Sequence, residues 1–209
     1  MAAGDSRQPR IELRRKNLRP EPVDQFNVWF EEASAVNDMP EAMALSTVDA
    51  DGRPDVRMVL LKGAGPDGFR FFTNYEGVKG AQITANPVVA LAFHWPELSR
   101  QVRVRGEIEK VPEGDSDEYF ASRDRASQIG AWASPQSRPL EDRDELERRS
   151  ENVRESYGPD DLIARPLDWG GYLVVPDQVE FWQGRPARLH DRFRYSADPG
   201  GWRVERLAP

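Results

Sequence analysis

The stretch QVRVRGEIEKV, residues 101–111, begins with strictly alternating apolar and charged side chains. In an extended strand, Val102 and Val104 would face one way, and Arg103 and Arg105 the other. That alternation is typical of an antiparallel strand with one face in the core and the other in water. The stretch therefore predicts an antiparallel sheet with the valines in its core.

Further strand-like runs lie on both sides of this stretch, separated by turn sequences such as Asp49–Gly52 and Gly65–Gly68. Strands are predicted for residues 43–48, 57–62, 69–73, 88–95, 169–175, 179–182, 188–195 and 202–206, the first three forming a meander. Helical spacing of apolar residues predicts helices for 22–37, 79–86, 115–123, 126–134 and 141–157. Many antiparallel strands with helices inserted between them indicate a closed or nearly closed β-barrel, in a mainly β protein with some α-helix.

The length and composition limit the organisation of the chain. With 209 residues it fits a single domain, predicted to span residues 21–209, after a polar, proline-containing arm of residues 1–20 that reads as flexible. Cysteine is absent, which excludes disulfides, thiol nucleophiles and thiolate metal sites. The apolar runs are too short to span a membrane and the first residues do not resemble a signal peptide, so the sequence predicts a cytoplasmic protein.

The charge balance bears on the kind of ligand. The formal net charge of −7 argues against general nucleic-acid binding, for which a basic face normally dominates. An acidic protein can nevertheless hold a cationic pocket for a small phosphate ester.

One candidate for such a pocket is the segment FWQGRPARLHDRFRY, residues 181–195. In the predicted strand, Arg188, His190 and Arg192 would share a face, because alternate side chains point the same way. Guanidinium groups form bidentate hydrogen bonds to phosphate oxygens and stack on flat rings, so this face suits an anionic aromatic ligand. The alternative is a solvated edge strand whose charges prevent aggregation.

Two more candidates follow each other along the chain. In residues 57–62 a basic residue bounds each end of an apolar strand, with Arg57 on one face and Lys62 on the other; the alternative is a buried strand with solvated ends. In residues 71–80 a strand runs through a turn into a helix that begins near Lys79. Backbone N–H groups and Lys79 at that helix start would make an anion site, unless the turn is merely solvated.

The fourth candidate is a set of donors spaced four residues apart, Tyr119, Arg123 and Ser127. On one continuous helix they would line one face and offer two hydroxyls and a guanidinium, which are the donors that a phosphate monoester needs. A capped, solvated helix end explains the same spacing equally well. A fifth candidate, the loop dipeptide Gln136-Ser137, carries no signal of its own.

Together these segments resemble the pyridoxamine 5′-phosphate oxidase family. The resemblance runs from Leu18 to Pro209 and rests, in order, on RMVLLKG, GFRFFTNYEGVKG, RQVRVRG, YFASRDRASQIGAWAS, PQS, WGGY, EFWQG, RLHDRFRY and ERLAP. It implies a split β-barrel and a homodimer with FMN sites at the subunit interface. It also implies oxidation of pyridoxamine or pyridoxine 5′-phosphate to pyridoxal 5′-phosphate, with O2 reduced to H2O2, in vitamin B6 biosynthesis or salvage.

The resemblance also implies roles for individual residues. FMN contacts are implied for Arg57, Met58, Val59, Leu60, Leu61, Lys62, Phe72, Thr73, Lys79, Gln101, Gln136, Ser137, Trp182 and Arg192, some of them from the partner subunit. Substrate contacts are implied for Lys62, Tyr119, Arg123, Ser127, Arg188, Leu189 and His190. Of these, Arg188 and His190 would lie over the reacting pyridine ring as the catalytic pair, and no metal is required.

Two features depart from the family pattern. Relatives often carry arginine immediately before the lysine of the phosphate-binding turn, where this chain has Val78. The Arg-Arg-x-Tyr segment that closes over the substrate in several relatives has no counterpart, since Arg14-Arg15 is followed by no tyrosine.

Two other functions are also consistent with the sequence, and the sequence further predicts how the subunits assemble. The runner-up enzyme is an FMN-dependent oxidase of another flat substrate, as in the phenazine-biosynthesis branch, and the non-enzyme alternative is a flavin- or pyridoxal-phosphate-binding module. An obligate dimer is expected, because the family's site is shared and because four tryptophans, Trp95, Trp132, Trp169 and Trp182, supply large apolar surface.

Overall fold

A computed structural model of the chain describes residues 12–158 and 160–209. Within these ranges five α-helices surround a nine-stranded antiparallel sheet. The helices are α1 (Pro22–Ser34), α2 (Val78–Ala85), α3 (Glu113–Ser122), α4 (Arg125–Ala133) and α5 (Arg143–Ser156). The strands are β1 (Ala42–Val48), β2 (Pro54–Leu60), β3 (Gly63–Gly65), β4 (Gly68–Asn74), β5 (Val88–Trp95), β6 (Arg100–Lys110), β7 (Trp169–Gln183), β8 (Asp191–Asp198) and β9 (Gly201–Leu207).

The sheet branches at its longest strand, β7. The main order is β2-β1-β5-β6-β7-β4-β3, and β8 and β9 extend the sheet from β7. The first residues of β7, 169–174, pair with β4, whereas residues 178–183 pair with β8, and β6 lies along the other edge. Because β7 pairs with both β4 and β8 along the same edge, the sheet curls into a half-open barrel, as the sequence predicts.

The alternation in β6 places its apolar side in the core, which confirms that prediction. Val102 and Val104 are almost completely buried, while Arg103 and Arg105 are exposed. Helix α1 covers the same core because Pro22 starts its first turn and its apolar residues recur at helical spacing. Its Phe26 packs against Phe93 with the ring centroids 4.8 Å apart.

Three strand predictions were wrong in detail. The runs up to residue 74 do not form one meander, because β1 pairs with β2 but β4 pairs with the distant β7. The predicted strands 169–175 and 179–182 are one continuous strand. The last discrepancy concerns the site: β8 begins at Asp191, so Arg188 and His190 lie outside it, and Arg188 belongs to a short 3-10 turn, Pro186–Arg188.

The backbone explains why the strand starts late. Ala187 and Arg188 both have φ in the left-handed region, 56° and 60°, which interrupts any extended conformation. The prediction that Arg188, His190 and Arg192 share one face of a strand is therefore wrong.

The predicted flexible arm divides into two parts. Residues 1–11 lie outside the described residues, whereas residues 12–20 lie against the barrel. Leu13 is buried in the core, Arg15 donates to the carbonyl of Val204 at 2.9 Å, and the hydroxyl of Tyr195 donates to the carbonyl of Arg19 at 2.8 Å.

Two of the four tryptophans do not supply the surface expected for a dimer. Trp95 and Trp169 are 1 % and 6 % exposed and belong to the core of the chain itself, so the expectation was wrong for these two, whereas Trp132 is 44 % exposed and Trp182 is half-buried. An apolar row is also exposed on the edge strand β2, formed by Val56, Met58 and Leu60. No helix in the described ranges is long and apolar enough to cross a membrane.

Candidate active site

An open cleft of about 490 Å³ lies where β2, β4, the start of α2 and the α3–α4 junction meet. It gathers residues from all four sequence candidates that precede the C-terminal segment. Its lining comprises Met58, Val59, Leu60, Lys62, Phe72, Thr73, Lys79, Tyr119, Arg123, Asp124, Ser127, Gln136 and Trp169. Three of these side chains are cationic and one is a carboxylate.

Lys79 forms one end of the cleft. Its Nζ donates to Thr73 Oγ1 at 2.9 Å and to Gln136 Oε1. Burial, with a smaller contribution from the nearby Arg57, lowers the pKa of Lys79 to about 8. No carboxylate among the described residues contacts this ammonium, so its position favours an anionic ligand.

The turn before α2 is held by the Asn74 side chain and packs closely against Gln136. Asn74 Oδ1 accepts from the N–H groups of Glu76 and Gly77 at 2.8 and 3.0 Å. A Cβ at Gly77, the residue before the helix, would come within 2.9 Å of Gln136 Oε1, so a side chain there would push the Gln136 amide out of its position. Val78 is 47 % exposed, and its side chain offers no hydrogen-bond donor to this turn.

The Tyr119, Arg123 and Ser127 triad meets at the cleft, although not on one helix. Helix α3 ends at Ser122 and α4 starts at Arg125, which agrees with the prediction of two separate helices, so the three residues do not lie along one continuous helical face. The break is built by Asp124, whose carboxylate caps α4 by accepting from the N–H of Ser127 at 2.9 Å. The Asp124-to-Ser127 spacing in the sequence could have revealed this cap.

The guanidinium of Arg123 has a hydrogen-bond donor that can bind a ligand acceptor. Its Nη1 is buried and has no hydrogen-bond partner in the part of the chain that the structure describes. Its Cζ lies 4.7 Å from the ring centroid of Trp169, and burial lowers its pKa. A buried donor without an acceptor is costly, so this atom is suited to binding a ligand oxygen.

Stacked aromatic rings form one wall. Phe72 and Tyr119 stack with centroids 3.9 Å apart, and Trp169 lies 5.8 Å from Phe72 in a nearly parallel plane. Trp169 is a cleft residue that sequence reasoning missed, having assigned it only to a dimer surface, although it lies in the WGGY string.

Two residues of the 57–62 segment face away from the cleft. The guanidinium of Arg57 bonds to Thr47 Oγ1 and Gln82 Oε1 at 2.5 and 2.8 Å. Leu61 is 6 % exposed and packs in the core, so only its backbone is available to a ligand.

Ser137 is exposed and lies beside Gly77, outside the lining of the cleft. The other remaining predicted residues form a second group, which does not line the cleft. Gln101, Trp182 and Arg192 face one another directly across β6, β7 and β8 and form a row on one side of the sheet. The His190 ring lies 4.6 Å from that of Trp182, and its Nδ1 accepts from the N–H of Arg185 at 3.1 Å. This bond leaves Nε2 for a ligand.

Arg188 and Leu189 belong to the same group and are exposed. Hereafter the lining of the cleft is called the cleft half, and Gln101, Trp182, Arg188, Leu189, His190 and Arg192 are called the outer half.

Fold and cleft together define a split-barrel protein with a cationic, aromatic-walled binding cleft. The family model described as "Pyridoxamine 5′-phosphate oxidase" matches residues 30–157. The model described as "Pyridoxine 5′-phosphate oxidase C-terminal dimerisation region" matches residues 169–209. The chain belongs to the pyridoxamine 5′-phosphate oxidase family, a family of oxidoreductases.

Individual relatives agree with this assignment. The chain is 52 % identical over 203 residues to a pyridoxine/pyridoxamine 5′-phosphate oxidase of Salinibacter ruber, covering 96 % of this chain and 94 % of the relative. It is 53 % identical over 199 residues to the protein of that name from Cupriavidus taiwanensis, covering 94 % and 93 %.

Among solved structures, PhzG from Burkholderia lata, in complex with tetrahydrophenazine-1-carboxylic acid, superposes with a TM-score of 0.87. It is 27 % identical to this chain, and the match covers 93 % of this chain and 95 % of PhzG.

Proposed function

We propose that the protein is an FMN-dependent oxidase that converts pyridoxamine or pyridoxine 5′-phosphate to pyridoxal 5′-phosphate. The observation that carries the proposal is that one cleft unites Lys79, Thr73 and Gln136, expected to bind FMN, with Tyr119, Arg123 and Ser127, expected to bind the substrate phosphate. Two phosphorylated ligands need two sets of donors, and the cleft holds both.

The cleft residues fit FMN. Lys79 is a partly buried cation whose protein partners are a neutral hydroxyl and a neutral carbonyl, so a phosphate would give it an anionic partner. The exposed apolar side chains Met58 and Leu60 suit a flat ring. When bound, FMN would supply the hydride acceptor, and the protein's task is to hold the substrate against it.

The substrate phosphate would be bound by Arg123, with hydroxyls from Tyr119 and Ser127 and the ammonium of Lys62. The unpartnered Nη1 of Arg123 supports this role, because a phosphate oxygen would satisfy it. Stacking of the guanidinium on Trp169 would fix its plane before the substrate arrives.

We further propose that the site is completed by a second copy of the chain. The cleft half lacks Gln101, Trp182, Arg188, His190 and Arg192, all expected at the same ligands. A twofold dimer would bring the outer half of each chain to the cleft half of its partner and so form two equivalent sites. The match of residues 169–209 to a dimerisation region supports this arrangement, as does the exposed apolar row on β2.

Arg188 and His190 would then lie over the pyridine ring. Arg188 would orient the ring and stabilise charge that develops as hydride leaves C4′, while His190 Nε2 would move a proton at the C4′ substituent. With pyridoxine 5′-phosphate, the substrate and O2 give pyridoxal 5′-phosphate and H2O2. With pyridoxamine 5′-phosphate, water is consumed as well and ammonia is released.

A second candidate is oxidation of another flat substrate, favoured by the likeness to PhzG. The donor set of Arg123, Tyr119, Ser127 and Lys62 argues for the phosphorylated substrate, because a ligand without a phosphate would leave these donors unsatisfied.

Turnover provides the test of the proposed function. Protein reconstituted with FMN should consume O2 and release one equivalent of H2O2 for each pyridoxal 5′-phosphate formed from pyridoxine 5′-phosphate. Pyridoxine without its phosphate should react at least about a hundredfold more slowly in kcat/KM, because the phosphate donors would be unused. Binding of FMN without any turnover would contradict the proposal and favour a storage module.

The protonation of Lys79 predicts how FMN affinity depends on pH. Because burial lowers the pKa of Lys79 to about 8, the ammonium that a phosphate needs is lost above that pH in the FMN-free protein. A bound phosphate would retain the proton, so the FMN affinity should fall up to about tenfold for each pH unit above 8. Fluorescence titration of apoprotein between about pH 7 and about pH 9 would measure this fall.

Riboflavin is the matched control, since it lacks only the phosphate. Its affinity should stay constant over the same range, and identical profiles for the two flavins would contradict the assignment of Lys79. The stability of the FMN-free protein should change in the opposite direction. Between the lowered pKa of about 8 and the ordinary value of 10.5, the unfolded chain binds more protons, so the free energy of unfolding rises with pH.

A further inference from the structure

Glu180 is a buried carboxylate beside the outer half. It lies on β7 two residues before Trp182, so both side chains project from the same side of the sheet, opposite to the core residue Phe181. Its side chain is 5 % exposed. Burying a carboxylate so completely is costly unless cations pair with it.

Two arginines from neighbouring strands provide that pairing. Arg192 Nε donates to Glu180 Oε1 at 2.8 Å, and Arg103 Nη1 lies 3.5 Å from Glu180 Oε2. The two cations differ in exposure, since the Arg192 side chain is 26 % exposed and that of Arg103 is 55 % exposed. Glu180 therefore binds its better-buried partner through the shorter contact.

A second acceptor holds the other end of the same guanidinium. Arg192 Nη1 donates to the carbonyl of Ala208 at 2.8 Å, in the segment that follows β9. Because a guanidinium is planar and rigid, two acceptors at Nε and Nη1 fix both its position and its plane. The N–H groups of Nη2 are then left to bind a ligand next to Trp182, which faces Arg192 across the strand pair.

We propose that Glu180 is a positioning residue that holds the guanidinium of Arg192 in the orientation needed to bind FMN. The inference rests on the proposed function, because it takes Arg192 as an FMN contact. Glu180 itself lies behind Arg192 and acts on the cofactor only through it. Since Glu180 is shared by two arginines, the group keeps a net positive charge while Arg192 loses its freedom to rotate.

The test is a double-mutant cycle on full-length apoprotein with FMN affinity as the readout. Glu180→Gln keeps the shape but removes the charge, and should weaken FMN binding roughly tenfold through loss of the charge-assisted bond. In an Arg192→Gln background, the same substitution should change the affinity by less than about twofold, because nothing remains to be positioned. Arg103→Gln, which removes the other partner of Glu180, is the matched control and should leave FMN affinity unchanged.

Glu180→Asp is the second variant, in case glutamine at this buried position prevents folding. It keeps the charge shared with Arg103 but withdraws the carboxylate by one methylene, so a positioning role predicts weaker FMN binding here too. Melting temperatures of the apoproteins report separately on the fold.

Each result decides the question. Unchanged FMN affinity in both Glu180 variants would overturn the inference, as would an equal loss in the wild-type and Arg192→Gln backgrounds, which would mean that Glu180 acts through the fold. If Arg192→Gln alone leaves FMN binding intact, the assignment of Arg192 in the proposed function has failed, and the inference fails with it.

Discussion

Replacing Arg123 by glutamine is expected to lower kcat/KM for pyridoxine 5′-phosphate by about a hundredfold or more, through loss of charge-assisted bonds to the phosphate. The guanidinium is well placed for this effect, because its Nη1 is buried without a partner and its plane is held against Trp169. A glutamine can offer one neutral donor in its place. Steady-state rates of H2O2 formation over a range of substrate concentrations would measure the loss.

The unphosphorylated substrate separates binding of the phosphate from other effects of the change. Pyridoxine makes no use of the phosphate donors, so its low rate should be nearly the same in the variant and in the wild type. FMN affinity should also be retained, because the FMN phosphate would be bound by Lys79 and Thr73 and not by Arg123. An equal fall in kcat/KM for both substrates would contradict the role given to Arg123.

Arg105→Gln is the matched control. Arg105 is exposed on β6 and forms a surface ion pair with Asp177 at 2.9 Å, away from the cleft. Exposed pairs of this kind contribute little, so the control should keep wild-type kinetics.

Local periodicity predicted most of the secondary structure. The alternation in β6 and the helical spacing in α1 depend only on neighbouring residues, and both agree with the structure. Pairing between distant strands has no such local signal. The pairing of β4 with β7 joins residues about one hundred positions apart, and for that reason the predicted meander was wrong.

The segment that carries Arg188 shows a second limit of sequence-based prediction, which is the local backbone conformation. Alanine and arginine normally avoid the left-handed region, so the positive φ angles of Ala187 and Arg188 could not be read from their side chains. The sequence patterns nevertheless selected Arg188 and His190 as a pair, although the strand geometry behind that selection was wrong.

The third limit of the sequence-based prediction concerns which aromatic residues are buried. Composition shows that the chain has large apolar side chains, but not which of them the chain buries in its own core. Trp169 forms part of a wall of the cleft, whereas Trp132 and the apolar row on β2 are exposed. The convergence of Lys79, Gln136 and Arg123 likewise required the fold, since they come from three separate segments.

The central claim is that the cleft half of one chain and the outer half of its partner form one active site. It predicts that two inactive variants can restore activity to each other. Arg123→Gln damages the cleft half, and Arg188→Leu damages the outer half, so each homodimer has the same defect in both of its sites. In a mixed dimer, both defects fall in one site and the other site has two intact halves.

Complementation between these two variants is therefore the most direct measurement. The variants would be co-expressed with different affinity tags, and the doubly tagged dimers isolated and assayed with pyridoxine 5′-phosphate. We predict that these mixed dimers regain about half of the wild-type kcat, and that an unfractionated one-to-one population regains about a quarter. If the isolated mixed dimers are as inactive as either parent, the two halves do not meet across a subunit interface and the account is contradicted.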